Sequence, residues 1–137
     1  MPSSEEYEQF VYTLPEAFES IVYSTLVFLR LEPLTAVVKG EIFFHQKIRL
    51  RVLQILDFDD SVRFIQCYSY EVYRDDEKLY WYDPFPHPHI PELASSAPHH
   101  KHVPPDLKHH RLPAPELSFE KPNLPFLIEE IQIKLLR

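Results

Sequence analysis

Three features of the chain predict an α+β fold built on an antiparallel sheet of about five strands. Helix-capping signatures cluster in the first twenty residues. β-Branched and aromatic segments with alternating polarity fill residues 22–83, and an apolar stripe of helical spacing returns after residue 123. With 137 residues and 45% apolar content, the chain is expected to form one domain, residues 1–137, around a modest core.

The elements follow in order. Ser3 precedes Glu6, and Thr13 precedes Glu16, by the three residues of a capping box. Pro15 falls early enough in a helix to be tolerated. One or two short helices are therefore predicted over residues 4–20, with Phe10, Leu14, Phe18 and Ile21 toward the core. Val22 to Leu31 reads as a strand. Ala36 to Phe44 places Val38, Gly40, Ile42 and Phe44 on one face. Lys47 to Leu56 places Ile48, Leu50 and Val52 on one face and Lys47, Arg49 and Arg51 on the other. His45-Gln46 is short enough to close a hairpin between these two strands. After an acidic turn at Asp57–Ser61, Val62 to Tyr73 alternates Phe64, Gln66, Tyr68, Tyr70 and Val72. Arg74–Glu77 turns the chain, and Leu79 to Tyr82 returns antiparallel.

Regularity then breaks. The stretch from Pro84 to Pro115 holds seven of the eight histidines and nine of the fourteen prolines. Prolines at 84, 86, 88 and 91 oppose both helix and central strand. Residues 84–122 are therefore predicted to be an irregular, extended arm that covers the sheet or runs along its edge. Residues 123–136 form the terminal helix, capped by Asn123, with Leu124, Leu127, Ile128, Ile131 and Leu135 as its apolar stripe. Helices would cover one face of the sheet and leave the other partly free.

The arm carries the most chemistry. In extended chain His100 and His102 point the same way and His99 the opposite way. His87 and His89 form a second pair of the same spacing. Neutral imidazole is a good ligand, so His87, His89, His100 and His102 are candidates for a divalent metal such as Zn, with Asp83 or Glu92 adding an oxygen. No cofactor is required by any motif, however, and the spacing matches no zinc signature. The same histidines titrate near neutrality and could take and give protons. RNA cleavage by the 2′-OH needs such a pair, with cations near the developing phosphorane charge. A purely structural role is open too, since each ring nitrogen can satisfy a backbone group in irregular chain.

Lys47, Arg49 and Arg51, with Arg63 on a neighbouring strand, form a basic face that Glu41 and Glu71 or a phosphate backbone could neutralise. Tyr68, Tyr70, Tyr80 and Tyr82 offer either core packing or rings on which bases stack. Asp83 ends the last strand, where it could orient an imidazole, hold Lys101 or cap a turn. Cys67 reads as a small apolar filler.

A net charge of -7 argues against broad non-specific binding to nucleic acid and suits a basic partner. The lone cysteine fits a reducing compartment. No apolar run is long enough for a membrane span, and the acidic first twenty residues do not resemble a signal peptide, so a cytoplasmic location is expected. Gly40 is the only glycine, which excludes a phosphate-binding glycine loop.

Tyr68-Ser69-Tyr70, Tyr82-Asp83, Pro86-His87 and above all Pro98-His99-His100-Lys101-His102-Val103 resemble the TumE-type family of small prokaryotic toxins. The resemblance spans residues 20–135. The chain departs from the family pattern at Glu71, Pro84 and Pro88, where histidine, asparagine and an adjacent histidine pair are usual. The resemblance implies a toxin of a toxin–antitoxin pair, with a helix-turn-helix protein as antitoxin. With the residue chemistry it leads to an expected action on RNA. His99, His100, His102, His87 and Asp83 would be catalytic, and Lys47, Arg49, Arg51, Arg63, Lys101 and Tyr70 would bind phosphate or base. The alternatives are a non-enzymatic module that binds a DNA-binding regulator, and a divalent-metal-binding protein. An exposed edge strand beside the arm also permits a homodimer.

Overall fold

The computed structural model describes residues 1–137. Its order is α1 (Ser4–Tyr12), α2 (Leu14–Ala17), β1 (Ile21–Ser24), β2 (Val27–Glu32), β3 (Thr35–Phe44), β4 (Ile48–Asp57), β5 (Ile65–Arg74), β6 (Glu77–Asp83), a 3₁₀ turn (Pro91–Ser96), β7 (His100–His102), β8 (Arg111–Pro113) and α3 (Leu124–Lys134). The expected α+β class holds. The sheet, however, has eight strands rather than five, ordered β1-β3-β4-β5-β6-β7-β8, with β2 also on β3. Every pairing is antiparallel.

Two of the extra strands come from the arm. Its prolines flank His100–His102 instead of interrupting it, so this tripeptide pairs with β6 and in turn receives β8. Pro113 closes β8 at the outer edge, where a residue without an N–H costs no ladder bond. The third extra strand arises because the predicted Val22–Leu31 strand is broken into β1 and β2, both on the outer edge of β3. At the break Leu26 dips into the core over Gly40. A Cβ on Gly40 would lie 2.7 Å from the Thr25 carbonyl oxygen, and its φ is +137°. Only glycine suits both conditions.

Side-chain alternation assigns the two faces. Val38, Ile42, Leu50, Val52, Tyr70, Val72 and Tyr82 point to the covered face. They meet Tyr7 and Val11 of α1, Leu14 of α2, and Leu124, Leu127, Ile128 and Ile131 of α3. Each such aliphatic side chain contributes about 1.5–3 kcal/mol on burial. Two predicted caps differ from expectation. Ser3 and Glu6 make the capping box, but the Thr13 hydroxyl donates back to the Gln9 carbonyl at 2.7 Å. The Asn123 amide leaves the end of α3 to bond Ser118 and the Tyr70 hydroxyl. Asn123 thereby completes a buried polar chain in which Tyr7 donates to Gln54 at 2.8 Å and Gln54 donates to Tyr70 at 2.7 Å. A one-residue irregularity between β4 and β5 sends Ile65 inward, so Phe64, Gln66 and Tyr68 do not share a strict alternation.

Candidate functional site

The face away from the helices carries the chemistry. Cross-strand partners share a face, so Glu41, Arg51, Glu71, Trp81, His102 and Arg111 form one row across β3 to β8. Asp83 and His100 are partners one step along β6 and β7. The expected sidedness of the His100-x-His102 pair holds. Their Nε2 atoms lie 3.0 Å apart. His100 Nε2 is 3.1 Å from Asp83 Oδ1, and His102 Nε2 is 3.1 Å from Asp83 Oδ2.

Each group is held from behind. His100 Nδ1 meets the Pro98 carbonyl at 3.0 Å, and His102 Nδ1 meets the Leu107 carbonyl at 2.6 Å. The Trp81 ring stacks on His102 with centroids 3.9 Å apart, and its indole N–H donates to Asp83 Oδ2 at 3.0 Å. The Phe85 amide donates to Asp83 Oδ1 at 3.0 Å. His100 and His102 are 1% and 4% exposed. Burial works against the charge on Asp83. The contacts with His100 and His102, and the hydrogen bonds from the Phe85 amide and the Trp81 indole, outweigh it and hold the carboxyl far below the usual carboxylate range.

His87 joins the cluster from the arm, its ring edge-to-face with His100 at 4.7 Å. Burial, the Arg111 charge and His100 lower its pKa, which favours the neutral imidazole. His89 is exposed, reaches only His87 and lies outside the converging donors. Asp83, His100 and His102 are thus the three groups able to coordinate a divalent ion, their ligand atoms lying within 4.8 Å of one another.

Several predicted site residues lie elsewhere. His99 points to the covered face, where its Nδ1 meets the Tyr68 hydroxyl at 2.6 Å and its ring packs on Phe119. Lys101 also points there, to Glu130 at 3.0 Å and over the Tyr80 ring, so its charge is neutralised within the protein. Glu130 in turn accepts the Tyr82 hydroxyl at 2.8 Å. Tyr70 is fully buried and presents no ring to a base. Lys47 lies in the β3–β4 turn with φ +64°, not in the strand. Arg49 bonds Glu41 at 2.8 Å and stacks on Tyr73, the neutralisation within the sheet that the sequence allowed. Arg51 is half exposed and lies 3.8 Å from the same carboxylate. Arg63 is not beside them. It precedes β5 and covers the Phe119 ring at 3.7 Å.

Arg51 and Arg63 nonetheless border the same surface. Three adjoining hollows of about 550, 320 and 500 Å³ run across the open face. The first is lined by Lys39 and Arg51, the second by Trp81 and Asp83, and the third by Arg63 and Phe119. Leu53, Ser69 and Glu71 join the first pair, and Cys67 and Phe85 join the second. Lys39 and Arg51 share the first hollow with Glu41 and Glu71, Arg63 borders the third, and the Asp83 carboxylate opens at the middle, with His100 and His102 buried behind it. Sequence reasoning missed Trp81, Phe85 and Arg111. Trp81 was accessible, since position i−2 from Asp83 in a strand shares its face. Arg111 had no local signal, because only its pairing with His102 brings it to the site. Its buried Nε has no hydrogen-bond partner.

No helix is long and apolar enough to cross a membrane. The family model described as "Toxin TumE" matches residues 11–135. No curated protein and no solved structure matches the chain.

Proposed function

The chain belongs to the TumE toxin family, and from that premise we propose that it arrests growth by acting on single-stranded RNA at the Asp83–His100–His102 cluster. The observation that carries this reading is the convergence of these three groups, with the Asp83 carboxylate opening into a trough that Lys39, Arg51 and Arg63 also border. Phosphodiester chemistry needs a proton carrier and positive charge beside the phosphate. His87, held toward its neutral form beside the cluster, suits the first role. Arg111, with an unpaired buried Nε, suits the second. Phe85, 65% exposed, and Trp81 offer rings to bases in the trough.

Membership of a toxin family implies an antitoxin. We assign that role to a helix-turn-helix protein, whose basic DNA-binding surface complements a net charge of -7, and place both in the cytoplasm. Self-association belongs at the β1–β2 edge, since Pro113 blunts the opposite one.

Induced expression in a host lacking the antitoxin tests the function. The unaltered chain is expected to stop growth with loss of intact RNA. Asp83→Asn, His100→Ala and His102→Ala are expected to restore growth at equal protein levels, and His109→Ala is expected not to. Unchanged arrest in all three cluster variants would remove the cluster from the mechanism.

A further inference from the structure

We infer that Asp83, His100 and His102 form a zinc centre with three protein ligands and one open position. The carbonyls of Pro98 and Leu107 can only accept, so the Nδ1 atoms that face them carry the protons. In the neutral rings each Nε2 then presents a lone pair. Those two lone pairs are 3.0 Å apart, and each faces a different oxygen of one carboxylate at 3.1 Å.

Converging lone pairs in a buried site repel unless positive charge lies between them. Two further protons would supply it, but they would set two imidazolium N–H groups against each other, both almost wholly out of water. One divalent cation supplies it with all three donors turned inward. The dimensions agree. Ligands at about 2.0–2.1 Å from a tetrahedral ion are about 3.3–3.4 Å apart, so the two Nε2 atoms need to separate by only a few tenths of an ångström, and one oxygen of Asp83 completes the three donors.

The supporting contacts are those of a metal site as well. Backbone carbonyls fix both tautomers, and the Trp81 indole and Phe85 amide orient the carboxylate. Nitrogen and oxygen donors of this number suit Zn²⁺. Asp83 is the ligand that borders the 320 Å³ hollow, so water or a substrate oxygen approaches from there. The inference deepens the proposed function by making the same cluster an electrophilic centre, yet it is read without any RNA.

The test is titration of chelator-stripped protein with ZnCl₂ by calorimetry, followed by the visible spectrum with CoCl₂ in place of zinc. The intact chain is expected to bind one equivalent of Zn²⁺ and to give the absorption of four-coordinate Co²⁺. Asp83→Ala and His102→Gln are expected to lose more than about a hundredfold in affinity. Circular dichroism serves as the check that they fold, with Asp83→Asn substituted for a variant that does not. His109→Ala, altered at an exposed residue, is expected to bind as the intact chain does. Absence of saturable binding, or equal binding in the cluster variants, would overturn the zinc centre and leave the RNA reading to the growth assay.

Discussion

Tyr70 shows how much one residue's surroundings decide. Its place in an alternating aromatic strand suits a stacking platform as well as a core. Full burial and bonds to Gln54 and Asn123 assign it to the core. Tyr70→Phe would leave two amide donors without their shared acceptor, a loss of about 1–3 kcal/mol. Chemical denaturation is expected to show that loss while toxicity persists wherever the variant remains folded. Glu71 makes a pH prediction. Burial raises its pKa, but bonds from Lys78 and Tyr73 outweigh this and leave it lowered. The unfolded chain therefore binds the proton more readily, so the stability Glu71 contributes is present above the unfolded carboxyl's range and lost as pH falls through the folded value. Glu71→Gln is expected to lower Tm at pH 7 and to approach the parent as pH falls below the unfolded carboxyl's range. An unchanged gap between the two Tm values as pH falls would count against this.

At the scale of elements, Gly40 and the β6–β7 pair do the most. Gly40→Ala would force a Cβ against the Thr25 carbonyl at a backbone angle few L-residues adopt. The expected loss is about 2 kcal/mol or more, visible as a lower denaturation midpoint. Polarity alternation made β3, β4, β5 and β6 legible, because each has one covered and one open face. The break between β1 and β2 was not legible, because it depends on Leu26 reaching over Gly40 from a neighbouring strand. Proline content suggested an arm without strands, and backbone pairing of His100–His102 with β6 overrode that local preference. The site was legible in part for the same reason. Period-2 geometry separates His100 and His102 from His99 and Lys101 as soon as the segment is extended, and Asp83 adjoins it at the end of β6. Arg111 and Arg63 take their places through cross-strand pairing and ring stacking, neither of which leaves a local trace.

Across the whole molecule the two faces divide the work. The helices and the Tyr7–Gln54–Tyr70–Asn123 chain stabilise one side. On the other, a trough bordered by Lys39, Arg51 and Arg63 reaches the Asp83 carboxylate, with the two imidazoles buried behind it. On the covered face the Lys101–Glu130–Tyr82 contacts tie α3 to the two strands that carry the cluster. With a net charge of -7, the proposed contact with RNA is expected to draw its affinity from few phosphates. The central claim is that this cluster cuts RNA. Its most direct measurement is cleavage of an end-labelled single-stranded RNA by the purified chain supplied with Zn²⁺, beside Asp83→Asn and His102→Gln shown to fold. The intact chain is expected to cleave it, and each variant to lose about a hundredfold or more. Intact RNA after incubation with protein that arrests growth, or equal cleavage by the variants, would contradict it.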